Sequence, residues 1–286
     1  MKTILYFLIA IILFGSVASS FSFKTKKDTS ILIQSIDNNA NSGSLSQSAG
    51  IIENRLRDFG PEKYAVETIP ERKQIKVTIN NSRDLKTIES LIIQKGKLEF
   101  YETYNYKELT EILPQNNHLL SYFGGMEPKD SSTKIGCTAQ SRVEKLKGYL
   151  DSLVNNHQCK FAWNLNTESS NACLYALRPE GKNGAVLNGG NIESLKFNQD
   201  STIKQCWVEI KFKKSAIAQW SEITKRNLNN AIAIVLDNNV LSAPVVRSII
   251  VGGDSQITGS FTLNEVKFIT AIGNNGELPL NFKVVK

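Results

Sequence analysis

Residues 231–279 constrain the fold of this chain more than any other stretch. The segment 231–236 (AIAIVL) is a continuous apolar run, which is typical of a strand that is buried on both faces. Asp237 and Asn238 follow it, and both residue types tolerate the left-handed backbone conformation of a tight hairpin turn. Pro244 has no N–H group for a strand ladder, so the second strand ends there or lies at a sheet edge. These features predict a β-hairpin whose first strand lies in the core.

A third strand and a helix are expected directly after this hairpin. Gly252, Gly253 and Gly259 bound the strand, and their positions between strands and turns favour a structural role in turn geometry. Thr262 and Glu265 fit a capping box, in which each side chain bonds the backbone N–H of the other residue. A helix is therefore predicted to begin at this point.

The N-terminal residues 1–23 are expected to engage a membrane. Residues 4–18 form an apolar run after Lys2. Small residues at 16–18 fit a signal-peptide cleavage site. Extension of the run to residue 23 would instead give about 20 residues, which is enough for a membrane anchor. A cleaved signal peptide and an uncleaved anchor both remain open.

Residues 28–104 show the order β-α-β-β-α-β, the split βαβ pattern of a ferredoxin-like α+β fold. In the first helix, apolar residues recur at spacings of four and three, so they form one buried stripe. Gly60 and Pro61 then end that helix. The expected strands are residues 30–36, 64–69, 74–79 and 97–104, and the expected helices are residues 45–59 and 82–96.

Two further regions follow along the chain. Residues 105–172 are interpreted as a variable connecting segment, in which 139–155 has the apolar spacing of a helix. Residues 173–286 are interpreted as a second α+β unit. Its residues 208–212 alternate between apolar and polar side chains, as in a half-buried strand. Trp220 lies on the apolar face of the next expected helix and is interpreted mainly as a packing residue.

The net charge of +7 does not indicate nucleic-acid binding. The basic residues are scattered, with no run of five and no interleaved aromatic motif, so we expect no nucleic-acid partner. A solvated surface is the favoured interpretation, with attraction to anionic lipid headgroups as the next.

The four cysteines have no CxxC spacing, and the chain has only two histidines, so a zinc site is not expected. In an oxidising compartment an even count permits disulfides. Cys137 with Cys159 is the candidate pair, since the bond would close a loop of about 20 residues and contribute about 3 kcal/mol. Cys173 and Cys206 fall in expected strands and are interpreted as buried thiols, with a second disulfide between them as the less favoured alternative.

No catalytic motif is found, so we expect no enzyme activity and no cofactor. The chain has no GxSxG elbow, no phosphate-binding glycine loop and no HExxH motif. Asp237 has no histidine near it in sequence, and a role in the hairpin turn is favoured over a role as a general base.

The 231–279 segment resembles the periplasmic first domain, P1, of the SecD subunit of the bacterial protein-export machinery. Order, spacing and residue types agree with the family string, and Asn238 stands where the family has a turn glycine. The matching residues are 233–237, 242–244, Gly252, Gly253, 256–259, Phe261, Glu265, Gly276, Leu278 and Pro279.

A second resemblance to SecD lies in the first half of the chain. On the expected helix, Arg55 and Asp58 are three residues apart, and we expect them to form a surface ion pair. The residues that match the family are Asn54, Arg55, Asp58, Phe59 and Gly60 at the helix end, and Leu98, Glu99 and Phe100 in the later strand.

The resemblance implies a P1-base-like region at 28–104 and a P1-head-like region at 173–286. It also implies an accessory role in protein export on the periplasmic side of the bacterial inner membrane, as an anchored or a secreted protein. The implied partners are unfolded or translocating polypeptide, the SecDF and SecYEG translocon, and the membrane through the N-terminal segment. SecD proteins continue into a proton-coupled membrane bundle, and this sequence ends at Lys286. We therefore expect a chain without that motor.

Capture of an unfolded chain requires an exposed apolar groove or an open sheet edge. The edge near Pro244 and the strand around Val208 are the places where we expect one. The alternative function is a diverged envelope protein–protein interaction module that is not involved in translocation.

Overall fold

The computed structural model describes residues 28–285, except 62, 81–83, 155–157, 166–169, 181–183, 201 and 204. The expected signal peptide or anchor at 1–23 lies outside the described residues. The strands are β1 (Asp28–Ser35), β2 (Tyr64–Ile69), β3 (Gln74–Asn80), β4 (Leu98–Thr103), β5 (Lys134–Ala139), β6 (Lys160–Leu165), β7 (Asn171–Arg178), β8 (Leu187–Asn188), β9 (Ile192–Asp200), β10 (Gln205–Phe212), β11 (Ile232–Leu236), β12 (Asn239–Ser242), β13 (Asp254–Phe261) and β14 (Phe282–Val285). The helices are α1 (Ser42–Phe59), α2 (Leu85–Ile93), α3 (Tyr106–Ile112), α4 (Val143–Leu153), α5 (Lys214–Arg226) and α6 (Leu263–Asn275).

The first sheet is antiparallel and has the strand order β14-β1-β3-β2. Helices α1 and α2 bury their apolar stripes, which include Ile52 and Ile88, in the same core as Ile33 and Ile75 of the sheet. This arrangement confirms the predicted α+β class with a ferredoxin-like base.

The fourth strand of this base was assigned wrongly from the sequence. We expected residues 97–104 to complete the sheet, but β14 does so by pairing with β1, for example Leu32 with Val285. Strand β4 instead pairs with β11, with Phe100 opposite Ile234. All six residues of β4 are buried, so it requires cover on both faces, which the edge of the base sheet does not offer.

The second sheet closes on itself. Its order is β5-β7-β6-β12-β11-β4-β8, and an additional pairing of β4 with β7 joins five of these strands into a ring. Ala233 and Val235 of β11 lie in the small core of this ring, while Ile232 and Ile234 belong to the main core on the other face. The predicted burial of 231–236 on both faces is therefore confirmed. The buried residues of the ring core are Tyr101, Ala162, Leu177, Ala233, Val235 and Val240.

A third sheet, with the order β13-β10-β9, packs against α5 and α6. Val208, Ile210 and Phe212 of β10 point into the core, as the alternation predicted. Helix α6 begins with the predicted capping box, in which Thr262 accepts from the Glu265 N–H and Glu265 accepts from the Thr262 N–H.

The connecting segment has an apolar cluster of its own. The cluster contains residues of α3, β5, α4 and β7, among them Leu109, Ile135 and Leu150. The helix expected at 139–155 is shorter, because β5 continues to Ala139 and a 3₁₀ turn precedes α4.

Cys137 forms a disulfide with Cys173, so the predicted Cys137–Cys159 pair is wrong. Cys137 on β5 and Cys173 on β7 are directly opposed in antiparallel strands, and their Cα atoms lie 4.0 Å apart. Cys159 precedes β6, which pairs along the other edge of β7, and it is a buried free thiol. Cys206 is also a buried free thiol, as expected. The register of β5 and β7 thus determines which cysteines pair, and the length of the loop that the disulfide closes does not.

Arg55 does not form the predicted surface ion pair with Asp58, because it is fully buried. Asp58 bonds Asn275 and Arg57 at 2.7 and 3.3 Å. The reason lies in α1 itself, where position 55 is three residues from Ile52 and falls on the buried stripe.

The Arg55 guanidinium donates to four backbone carbonyls at the ends of two helices. Nη1 bonds the carbonyls of Leu91 and Gln94 at 3.2 and 2.6 Å. Nη2 bonds those of Lys95 and Gly276 at 3.0 and 2.6 Å. Such C-terminal carbonyls lack intrahelical partners and carry partial negative charge. Burial lowers the pKa of Arg55 to about 10. Arg55 therefore holds the ends of α2 and α6 together.

Arg55→Lys is expected to destabilise the protein by about 3 kcal/mol or more, because each buried carbonyl that loses its donor costs about 1–3 kcal/mol. The measurement is the free energy of unfolding in urea. Arg57→Lys on the exposed face of the same helix is the matched control and should stay within about 0.5 kcal/mol of wild type. Equal losses in the two variants would contradict the role assigned to Arg55.

A reducing agent is expected to lower the stability of the protein by up to about 4 kcal/mol, the chain-entropy estimate for the loop between Cys137 and Cys173. Urea unfolding with and without the reductant measures this difference. The Cys159→Ala variant should retain the sensitivity, and the Cys173→Ser variant should lose it. Loss of the sensitivity in the Cys159→Ala variant, with its retention in the Cys173→Ser variant, would instead support the Cys137–Cys159 pair.

Candidate functional site

A cleft opens between the third sheet, helix α5 and the segment 244–250 that follows β12. Its cavity volume is about 140 Å³. Four elements supply its deep apolar lining, which places the cleft where two sheets meet. The deep residues are Phe100 on β4, Ile210 on β10, Trp220 on α5, and Ile232 and Ile234 on β11.

An aromatic trio holds one wall of the cleft rigid. Phe100, Phe212 and Trp220 have ring centroids 4.8 to 5.8 Å apart in tilted and edge-on arrangements, which are favourable for aromatic pairs. Trp220 Nε1 donates to Ser255 Oγ at 2.8 Å. The Trp220 ring, interpreted from the sequence as a packing residue, is therefore both buried core and cleft wall.

Backbone hydrogen bonds hold the segment 244–250 in place. The Pro244 carbonyl accepts from the Ile232 N–H at 3.1 Å, and the Val246 N–H donates to the Asn230 carbonyl at 2.9 Å. The Ile250 N–H donates to Thr224 Oγ1 at 3.0 Å. These bonds fix the mouth of the cleft to β11 and α5.

The surface around the mouth carries exposed apolar side chains next to Arg247 and Ser248. Val245, Ile249 and Val251 are 40%, 45% and 74% exposed, although their side chains are branched and aliphatic. Exposed apolar residues that cluster on one segment indicate an interaction surface, whereas scattered ones do not.

Strand β13 lies beside the cleft and forms an edge of its sheet, and Gln256 contributes to the cleft lining. The Gly253 carbonyl accepts from the Phe212 N–H at 3.0 Å, which makes these two residues a hydrogen-bonded pair. In an antiparallel ladder the alternate residues turn their backbone groups away from the partner strand. Asp254 and Gln256 therefore direct their N–H and C=O groups toward the sheet edge.

Asp237 and Asn238 lie at the other end of the β11–β12 hairpin, away from Pro244. Their φ angles are 47° and 70°, as a tight hairpin turn requires. The Asp237 carboxylate accepts from the Gly96 and Lys97 N–H groups at 2.9 and 2.8 Å. Asp237 also favours the charged form of Arg55. This carboxylate thus connects the hairpin to the chain between α2 and β4.

Asn238 belongs to a polar cluster at one end of the strand ring. Its Oδ1 accepts from Lys160 Nζ at 2.9 Å, and Lys160 Nζ lies 3.4 Å from the Tyr101 hydroxyl. Burial raises the pKa of Tyr101, and the Glu99 carboxylate adds to the effect. Burial also lowers the pKa of Lys160, which Glu99 opposes. These contacts attach the β11–β12 turn to β6.

The motif glycines have different environments. Gly253 has a φ of 78°, and a Cβ atom there would lie 2.7 Å from the Ile217 side chain. Gly252 has open space around it, whereas a Cβ on Gly259 would lie 3.0 Å from the Phe261 ring. Of the turn and glycine positions Asp237, Asn238, Pro244, Gly252, Gly253 and Gly259, Pro244 is the one that lines the cleft.

The lining of the cleft supports binding and offers no group for proton transfer. Its one ionisable side chain is Arg247, and it includes no carboxylate, imidazole or thiol. In the described part of the chain, no three His, Cys, Asp or Glu side chains are grouped to hold a metal ion. Among the same residues, no helix has both the length and the apolar composition to cross a membrane.

Sequence reasoning identified the neighbourhood of the cleft and missed its principal residues. It pointed to Pro244 and to the strand that contains Ile210. Phe100 was assigned to the base, so its place in the cleft was missed together with the true position of β4. The sequence LEFYET held no signal for this placement, because Glu99 and Glu102 are not typical of a strand that is buried on both faces.

Comparison with known proteins agrees with this architecture. Residues 174–280 match the family model of the SecDF P1 head subdomain. The chain is 28% identical over 243 residues to the protein translocase subunit SecD of Calditerrivibrio nitroreducens, which covers 85% of this chain and 40% of that protein. It is 36% identical over 107 residues to SecD of Rickettsia typhi, which covers 37% of this chain and 20% of that protein. The chain thus spans less than half the length of these relatives.

Two solved structures share the fold. A crystal structure of SecDF in the super-membrane-facing form covers 92% of this chain and 30% of that one, with a TM-score of 0.56 and 20% identity. A structure of the membrane component SecDF that enhances protein export covers 90% of this chain and 98% of that one, with a TM-score of 0.53 and 21% identity. Residues 174–280 therefore resemble the SecDF P1 head subdomain, and the chain shares its fold with solved structures of SecDF.

Proposed function

We propose that this chain acts in protein export as a SecD-like accessory, and that its cleft binds an extended segment of polypeptide. The proposed location is the periplasmic side of the bacterial inner membrane, and the proposed partners are the translocating chain and the SecDF and SecYEG translocon. Support for the export role comes from relatives that are named protein translocase subunit SecD. A membrane contact through residues 1–23 is part of the same proposal.

The observation that carries the proposal is an open apolar cleft beside a sheet edge, lined by Phe100 and by residues that match the P1 head model. An unfolded polypeptide exposes apolar side chains and unpaired backbone groups together. Strand addition to a sheet edge satisfies the backbone groups, and a neighbouring pocket takes alternate side chains. The β13 edge and the cleft offer these two features side by side.

An apolar cleft favours polypeptide binding over the alternative, an interaction module that has no part in translocation. A uniformly charged head surface would favour that alternative. The segment with Val245, Ile249 and Val251 instead exposes apolar side chains.

Crosslinking in cells tests the export role. A photoreactive amino acid replaces Ser248 at the mouth of the cleft, and an exported protein is stalled during its secretion. We expect crosslinks from position 248 to the stalled chain, because the site lies at the proposed path. The matched control position is Glu71, which is exposed on the base.

Crosslinks to the stalled chain from 248 and not from 71 would support the proposal. Equal yields from both positions, or none to either the stalled chain or a translocon subunit, would contradict it and leave the alternative module.

A further inference from the structure

Arg247 is an exposed cation at the mouth of an otherwise uncharged cleft. Within the described residues, its guanidinium has no carboxylate or hydrogen-bond partner. Arg226, also exposed but on α5, differs because it pairs with Glu102 and with Glu180. A guanidinium offers a planar set of donors that fits a carboxylate, so the charge at this mouth is complementary to an anion.

The cavity has the size of one large apolar side chain. A dry protein cavity of about 150 Å³ lined by Leu, Ile and Phe accommodates one benzene molecule. The cleft has a volume of about 140 Å³ and a wall formed by Phe100 and Trp220. The cavity therefore fits a single aromatic or long aliphatic group and is too small for the apolar face of a helix.

We propose that the cleft selects extended segments in which a bulky apolar residue and an acidic residue lie two positions apart. This inference rests on the proposed polypeptide binding and adds its specificity. The apolar side chain enters the cavity, and the carboxylate pairs with Arg247, while the segment adds to the edge of β13.

Strand geometry limits the two residues to even spacings, of which two is the shortest. Side chains two positions apart in a strand point to the same face, and adjacent ones point to opposite faces. Arg247 and Trp220 line the same cleft, so both parts of the ligand must point to one face. Asp254 and Gln256 direct backbone groups toward the sheet edge, where these groups can pair with a chain that continues past the cleft. We therefore assign the bound carboxylate to an Asp or Glu side chain within the segment and not to the end of a chain.

Peptide binding to the full chain in lipid nanodiscs tests this specificity, with fluorescence anisotropy as the measurement and empty nanodiscs as the reference. The reference peptide is an uncharged threonine-rich strand former with capped ends that contains Phe-Thr-Glu. A second peptide has the same composition with Glu moved next to Phe. Two others replace Glu by Gln or Phe by Ala.

We expect the Phe-Thr-Glu peptide to bind most tightly. Loss of the carboxylate, or its move by one position, should weaken binding by about fivefold, as for a favourable exposed ion pair. The Ala peptide should bind at least about tenfold more weakly, because the cavity loses its apolar group. In the Arg247→Gln variant, the Glu and Gln peptides should bind equally.

Arg72→Gln is the matched control, since Arg72 is exposed on the base, and it should keep the fivefold difference. Equal binding of the original and shifted peptides would overturn the proposal, as would a Glu preference that persists without Arg247. If a peptide with a C-terminal Phe and free carboxylate bound more tightly, the assignment to an internal acidic residue would be wrong. Uniform binding of all peptides would refute the specificity alone, whereas no binding would refute polypeptide capture as well.

Discussion

The guanidinium of Arg55 lies where the base meets the rest of the protein, and its contacts leave little freedom around it. It donates to carbonyls that end α2 and to the carbonyl of Gly276 after α6. Gly96 must be glycine here, because a Cβ atom would lie 2.2 Å from Arg55 Nη2. A buried guanidinium is tolerated only if its donors are satisfied, and backbone carbonyls at helix ends satisfy four of them. The two helices are therefore fixed relative to each other.

Asp237 links this contact between α2 and α6 to the cleft. The N–H groups of Gly96 and Lys97 bond the Asp237 carboxylate, which holds the turn between β11 and β12. Strand β11 then contributes one face to the strand ring and the other, with Ile232 and Ile234, to the cleft. The base is thus connected to the proposed binding surface by a short series of polar contacts. Residues that looked like separate motifs in the sequence are parts of one structural unit.

The local elements and part of the candidate site were predictable. The hairpin turn, the capping box of α6 and the alternation of β10 each depend on residues close together in sequence, and the structure has all three. Pro244 was expected at a groove or a sheet edge; it lines the cleft, and the preceding strand β12 lies between β6 and β11. Phe100 was not connected with it, because its strand lies more than 130 residues earlier and was assigned to the base. The partnerless Arg247 could not be identified either, since the lack of a partner is a property of three-dimensional neighbours.

The sequence by itself determined the α+β class, most of the helices and strands, and the likeness to the SecD P1 domain. Periodicity, caps and turn residues report on the local backbone, and these signals are complete within a few residues. Tertiary structure alone decided that β14 completes the base, that Cys137 bonds Cys173, and that Arg55 is buried. Each of these outcomes depends on strand register or on packing between segments far apart in the chain. One sequence pattern is compatible with several such pairings, and only the assembled core selects among them.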